Sequence, residues 1–256
     1  MKFVKGDLLD PKTYEEELDG VETVVHLAAS TGSAAPGHLE RVNVGGTFDL
    51  LGACKRKGVR QFLHVSTIAV KYTNQKNAYA QTKAQAEALV SSSGIPHTII
   101  RPTIVLGRNS PAWHIFKRIA KFPIIPLPNG GRVDIQPLHV DELSDGMQLL
   151  LSANRFEGEI MELGGPKPIR LIEFVRAVHQ CITGKVPHII PVPLAPIRIL
   201  LRCVEPWAKP LLPIGSGQLA VFANDGTISP NWLHDMIKDR MRSTDECITE
   251  LIRTSQ

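Results

Sequence analysis

Little in this sequence invites a disulfide, a metal or a membrane. Its four cysteines, Cys54, Cys181, Cys203 and Cys247, are scattered, and none forms a Cys-x-x-Cys pair. That argues against a disulfide scaffold and a zinc site, and for reduced thiols in a cytoplasmic compartment. The nine histidines show no His-Glu-x-x-His spacing, so no metal is expected. His64 lies in an apolar run and reads as a packed core residue rather than a ligand. Aromatic residues make up only 5% of the chain. This is too few for the stacking platforms that grip single-stranded nucleic acid, and no nucleic-acid partner is expected. No apolar run reaches the roughly eighteen residues of a spanning helix. No signal-peptide pattern stands at the N-terminus, and no repeat at solenoid period is visible.

What is present suits a compact α/β domain. The chain has 256 residues, 43% of them hydrophobic, and a modest formal charge of +4. Its basic clusters, Lys55-Arg56-Lys57 with Arg60 and Lys238 to Arg242, are separated and read as solvated helix faces. Residues 1–107 alternate short apolar strands with helical stretches. Thr23–Leu27, Gln61–Val65 and Thr98–Arg101 are the expected strands, and their continuous apolar character suits a parallel sheet covered on both faces. Thr47–Lys57 and Tyr79–Ser92 are the expected helices, with Gly58 and Gly94 near their C-caps. From Arg108 the texture changes. Pro123, Pro126, Pro128 and Asn129-Gly130-Gly131 read as an irregular segment, and Asp141 as the N-cap of a helix beginning near His139. Residues 1–165 are expected to form the main domain, interleaved by a lobe segment at about 108–135, and residues 166–256 a small C-terminal substrate lobe. The proline-broken apolar stretch Ile189–Ile214, with Trp207, is read as a packed lobe helix, an apolar lid or a peripheral membrane contact.

The residues with the most chemistry are Tyr79-Ala-Gln-Thr-Lys83. Four residues apart on a helix, Tyr79 and Lys83 share one face. An ammonium beside a phenol favours phenolate and is expected to lower the tyrosine pKa, which would make Tyr79 a general acid or base near neutral pH. A hydroxyl from Ser66 or Thr67, at the end of the Gln61–Val65 run, could hold a substrate oxygen beside it.

The order of the motifs resembles an extended or atypical short-chain dehydrogenase/reductase of the NAD-dependent epimerase/dehydratase type. Gly6-Asp7-Leu8-Leu9-Asp10 looks like the end of that family's third strand, Val24–Ala29 like its fourth, and Asn43-Val-Gly-Gly-Thr47 like its helix signature. Phe62–Thr67 looks like the strand that carries the catalytic hydroxyl. Ile99–Ile104 and Gln136–Leu143 are two further landmarks. Met161–Pro166, Leu171–Phe174, Pro191–Leu194 and Phe222–Thr227 are similar to the subgroup that includes the dehydrogenase-like accessory subunit of respiratory complex I. The resemblance implies a Rossmann-type doubly wound parallel sheet with a small C-terminal lobe, and NAD or NADP as cofactor. It implies catalytic roles for Thr67, with Ser66 as its near equivalent, and for Tyr79 and Lys83. Asp7 and Leu8 would meet the adenine. Leu27, Ala28, Ala29, Asn43 and Val65 would line the cofactor, Lys83 would bind the nicotinamide ribose, and Pro102, Thr103 and Ile104 would orient the carboxamide.

The family's opening strand, Gly-x-x-Gly-x-x-Gly turn and helix have no counterpart here, and that turn brings backbone to the pyrophosphate. The sheet is therefore expected to lack its first two strands. Lys2–Asp7 would be detached and Thr23–Leu27 left as an exposed apolar edge, with pyrophosphate binding weakened. One reading is an incomplete start to the chain; the other is a variant that pairs its open edge with a second chain, a route to self-association. On function, an NAD(P)-dependent oxidoreductase or epimerase competes with a non-catalytic NAD(P)H-binding structural, assembly or regulatory subunit. The substrate would be a small molecule, and the short loop from Val70 to Ala78 with the apolar lobe points to a lipophilic carbonyl compound rather than a nucleotide sugar.

Overall fold

A computed structural model describes residues 2–31, 34–72, 77–196 and 224–254. Most of the apolar stretch beyond Ile189, including Trp207, and Phe222-Ala223 lie outside them, as do Cys203 and residues 73–76 of the short loop. The chain divides into two compact units, Met1–Arg101 with Leu151–Met161, and Pro102–Leu150 with Glu162–Gln256.

The first unit is built on a four-stranded sheet. Its strands are β1 (Thr23–His26), β2 (Gln61–Val65), β3 (His97–Pro102) and β8 (Glu157–Leu163), in the spatial order β1-β2-β3-β8. β1 and β3 both run parallel to β2, with Val24 opposite Phe62 and Val65 opposite Ile100. Three helical segments connect the first three: α1 (Pro36–Glu40), α2 (Gly46–Arg56) and α3 (Ala78–Ser91). The expected helix from Thr47 in fact begins earlier, because Arg41–Gly45 form a π-turn that joins α1 to α2. α2 ends where Gly58 takes φ +71°. Val59 N bonds Cys54 O and Gly58 N bonds Lys55 O, the paired bonds that a left-handed glycine permits after a helix. The helices bury Leu50, Leu51, Cys54 and Val90 against Phe62 and Ile99. A fully buried side chain of this kind stabilises by about 1.5–3 kcal/mol.

Residues 2–6 carry no strand, and Phe3 is 86% exposed. Among the described residues β1 has one strand neighbour, so its other edge presents unpaired backbone groups. Val25 and Leu27 are exposed there. The detached N-terminal segment and the open apolar edge are thus as expected.

The second unit packs α4 (Pro111–Ile119), α6 (Leu171–Thr183) and α7 (Thr244–Arg253) around Trp113, Phe116, Phe174 and Ile248. The rings of Phe116 and Phe174 meet edge-on with centroids 4.9 Å apart. Small ladders surround this core: β4 (Val105–Leu106) with β7 (Leu138–His139), and β6 (Asp134–Ile135) with β9 (Ile169–Arg170). The proline-rich segment after Pro123 is not irregular. It forms β5 (Ile124–Pro128), parallel to β10 (His188–Val192). A two-stranded sheet leaves each strand a free side, so Pro126 and Pro128 can lack an N–H without a lost ladder bond. The same pairing makes the start of the Ile189 stretch a strand rather than a helix.

α5 (Val140–Ala153) is not capped by Asp141, which lies inside its first turn. His139 stands at the cap: its Nδ1 accepts from Asp141 N at 3.3 Å, and Glu142 Oε2 accepts from His139 N at 3.1 Å. Asp141 instead pairs with Arg242, whose guanidinium also meets Glu250 at 2.7 Å.

Backbone closeness at Gly165 is the tightest constraint in this unit, since a Cβ there would lie 2.0 Å from Pro137 O. Gly165→Ala should therefore lower unfolding free energy by roughly 3 kcal/mol, the upper end of ordinary overpacking. Urea denaturation at constant m would show it, and a loss below about 0.5 kcal/mol would contradict the close approach.

Candidate functional site

β2 delivers Ser66 and Thr67 at its C-terminal end. Ser66 is 5% exposed, and its Oγ has no hydrogen-bond partner among the described residues. Thr67 Oγ1 accepts from Ala69 N at 3.3 Å, and its hydroxyl is near enough to the Tyr79 phenol to lower that group's pKa. α3 supplies Tyr79 and Lys83. Asn77 starts this helix, its Oδ1 accepting from Tyr79 N at 3.1 Å and Ala80 N at 3.4 Å. The cap fixes the first turn of α3, which carries Tyr79.

Lys83 is 2% exposed. Its Nζ donates to Val65 O at 2.8 Å and lies 3.2 Å from His64 Nε2. Burial pulls its pKa down from 10.5 to about 8, with Glu87 partly opposing. Burial also drives the Tyr79 phenol up to about 12, with the nearby Thr67 hydroxyl partly opposing. The expected lowering of the Tyr79 pKa by Lys83 is therefore absent in this state. The physical reason is orientation: helical spacing places both groups on one face, but the ammonium is turned to the end of β2. Glu87 is held in place by Arg101, whose Nε reaches Glu87 Oε1 at 2.9 Å.

Asn43, in the π-turn, joins three elements. Its Nδ2 donates to Ser30 O at 3.0 Å and to Thr82 Oγ1 at 3.1 Å, and its Oδ1 accepts from Ser30 N at 2.7 Å. Thr82 Oγ1 donates in turn to Tyr79 O at 3.0 Å. One turn further, Thr47 Oγ1 donates to Asn43 O at 2.7 Å and lies 3.0 Å from His26 Nε2. His26 and His64 are buried neighbours with ring centroids 5.2 Å apart. Burial takes His26 down to about 4 and His64 well below its usual value, Lys83 adding to both.

Val65, Ser66, Thr67, Tyr79, Lys83 and Asn43 thus come together within the first unit. Leu27 and Ala28 are exposed and Ala29 half-buried just beyond β1, at the same strand end because β1 and β2 are parallel. Asp7 Oδ1 accepts from Leu9 N at 3.0 Å, closing a local turn. Leu8 fills the space left by the missing side chain of Gly46, where a Cβ would lie 2.6 Å from Leu8 Cδ2. Pro102 closes β3, and Pro102, Thr103 and Ile104 fall in the second unit. There Thr103 N donates to Leu163 O at 2.9 Å and its hydroxyl to Gln136 O. Sequence reasoning missed Ser30, Asn77 and Thr82, and gave His64 only a packing role. Asn77 immediately before a helix is a legible cap signal; the others carry none.

Among the described residues one trio, His139, Asp141 and Glu250, has possible metal-ligand atoms within 4.8 Å of one another. The Arg242 guanidinium already supplies the positive charge there, 3.1 Å from Asp141 Oδ2.

Residues 1–118 match the family described as NAD(P)H-binding. The dTDP-glucose 4,6-dehydratase of Streptomyces antibioticus is 30% identical over 189 residues, covering 64% of this chain and 56% of that protein. The mitochondrial NADH dehydrogenase [ubiquinone] 1 alpha subcomplex subunit 9 of Dictyostelium discoideum is 25% identical, covering 67% and 48%. This chain spans about half the length of these relatives. The crystal structure of DesIV, a dTDP-glucose 4,6-dehydratase from Streptomyces venezuelae with NAD and TYD bound, has a TM-score of 0.71 at 22% identity, covering 98% of this chain and 78% of that one. The fold is therefore of the Rossmann type. No helix among the described residues is long and apolar enough to cross a membrane.

The Lys83 shift makes a linkage prediction. With a folded pKa of about 8 and an unfolded one near 10.5, the unfolded chain holds more protons between those values. Stability from this group therefore rises with pH across that window. The wild-type chain should gain on the order of 2 kcal/mol relative to Lys83→Met between pH 7.5 and pH 10.5. Parallel pH profiles of the two proteins in urea would contradict the burial of the ammonium.

Proposed function

We propose that this chain, a relative of the NAD-dependent epimerase/dehydratase type of short-chain dehydrogenase/reductase, binds NAD or NADP and moves a proton through Tyr79. The observation that carries the reading is the convergence of the Tyr79 phenol near Thr67, the buried Lys83 ammonium and the Ser66 hydroxyl, unpartnered among the described residues, at one strand end. The residues present fit a dinucleotide's reactive end. Ser66 offers a buried polar atom in need of a partner, and Lys83 has used two of its three N–H groups. Hydride transfer is the chemistry the dinucleotide supplies when bound.

In this reading Lys83 holds the nicotinamide ribose. Tyr79 exchanges its proton with a substrate hydroxyl or carbonyl oxygen, and Thr67, with Ser66, hydrogen-bonds that oxygen. Asn43 keeps the Ser30 turn and Thr82 in register, and Leu27, Ala28, Ala29 and Val65 line the floor. Asp7 and Leu8 stand at the adenine end. The substrate is a small, lipophilic carbonyl or hydroxyl compound, the setting is cytoplasmic, and the open β1 edge supports self-association. A second reading, a non-turnover NAD(P)H-binding structural or regulatory subunit, draws on the phenol raised to about 12. Such a group gives up its proton reluctantly until a cation faces it.

Calorimetry with NADH and NADPH, followed by turnover of the wild-type chain and Tyr79→Phe, separates the two. The enzyme reading predicts dinucleotide binding unchanged in Tyr79→Phe and turnover lower by about 10²–10⁴-fold. Binding without turnover in either protein would establish the subunit reading, and no binding would overturn both.

A further inference from the structure

We propose that His64 is the positioning residue for Lys83: its neutral imidazole accepts an N–H of the buried ammonium at Nε2 and, with the Val65 carbonyl, holds the amine at the end of β2. The inference deepens the proposed function, because Lys83 is the group that reading assigns to the ribose.

The geometry supports it in three ways. His64 Nε2 lies 3.2 Å from Lys83 Nζ. An ammonium has only donors to offer, so Nε2 must present its lone pair and the ring proton must reside on Nδ1. That Nδ1 is buried with no partner among the described residues. The tautomer is thus selected by Lys83 alone, at the cost of one unpaired N–H. Finally, two acceptors account for two of the three ammonium protons, leaving the third for a ligand oxygen. A lysine of this length explores many rotamers when unheld; the strand fixes it before any ligand arrives.

The arrangement works only while His64 stays neutral, since an imidazolium at that distance would repel the amine. The surroundings favour the neutral form. His64 is fully buried, and among the described residues the titratable and charged groups around the pair are His26 on β1, Tyr79 and Glu87 on α3, and Arg101 on β3, which is paired with Glu87. The only acid among them faces the amine, not the imidazole.

The test uses this chain without ligand. The side-chain titration of Lys83 is followed by NMR of ¹³C-labelled lysine, assigned by its loss in Lys83→Met, in wild type, His64→Phe and His64→Gln. Phenylalanine keeps the packed ring and removes the acceptor; glutamine restores an oxygen near the Nε2 position. The Lys83 pKa should fall by about one unit in His64→Phe, the scale of a lost hydrogen bond to a charge, and return in His64→Gln. An unmoved pKa in a folded His64→Phe would overturn the proposal. If that variant does not fold, the ¹⁵N shifts of the wild-type His64 ring decide: a proton on Nδ1 sustains the proposal, and a proton on Nε2 overturns it. NADH and NADPH calorimetry on the wild type is read separately, so loss of dinucleotide binding would sink the proposed function and leave the role of His64 to the titration.

Discussion

One buried ammonium organises the site. Lys83 is 2% exposed on a helix packed over a parallel sheet, a setting in which a charge is costly unless it finds acceptors. A carbonyl at the end of β2 and a histidine two residues after Phe62 provide them. The same burial keeps His64 neutral, lowers the pKa of the lysine and raises that of Tyr79. The surrounding polar groups, Asn43, Thr47, Thr82 and Ser30, satisfy one another instead. Their bonds fix the turn after β1 and the first turns of α3 around the amine.

Much of this was legible in the sequence. Gln61–Val65 is a strand with the bounds its apolar run suggests, and α3 lies within one residue of its expected ends. Both follow from the most reliable signals, a continuous apolar run and an alanine-rich stretch ending near glycine. The gathering of Ser66, Thr67, Tyr79 and Lys83 was legible because a strand end and a four-residue helical spacing both have fixed directions. The open edge at β1 was legible from the missing glycine turn.

The failures also have physical causes. Helical spacing says which face a lysine occupies but not which acceptor its long chain finds, so the Tyr79 shift was read with the wrong sign. A histidine in an apolar run looks the same whether it merely packs or accepts a proton. Prolines 126 and 128 conceal a strand because their missing N–H groups matter only in a sheet with neighbours on both sides. The π-turn that carries Asn43 adds a residue to a helix without any compositional mark.

The most direct test is a chemical-shift titration of the isotopically labelled chain with NADPH and with NADH. The account predicts the largest perturbations at Ser30, Asn43, Ser66, Tyr79 and Lys83, the residues that converge at the ends of β1 and β2. Saturable shifts that spare these five, or none at millimolar NADPH or NADH, would contradict it.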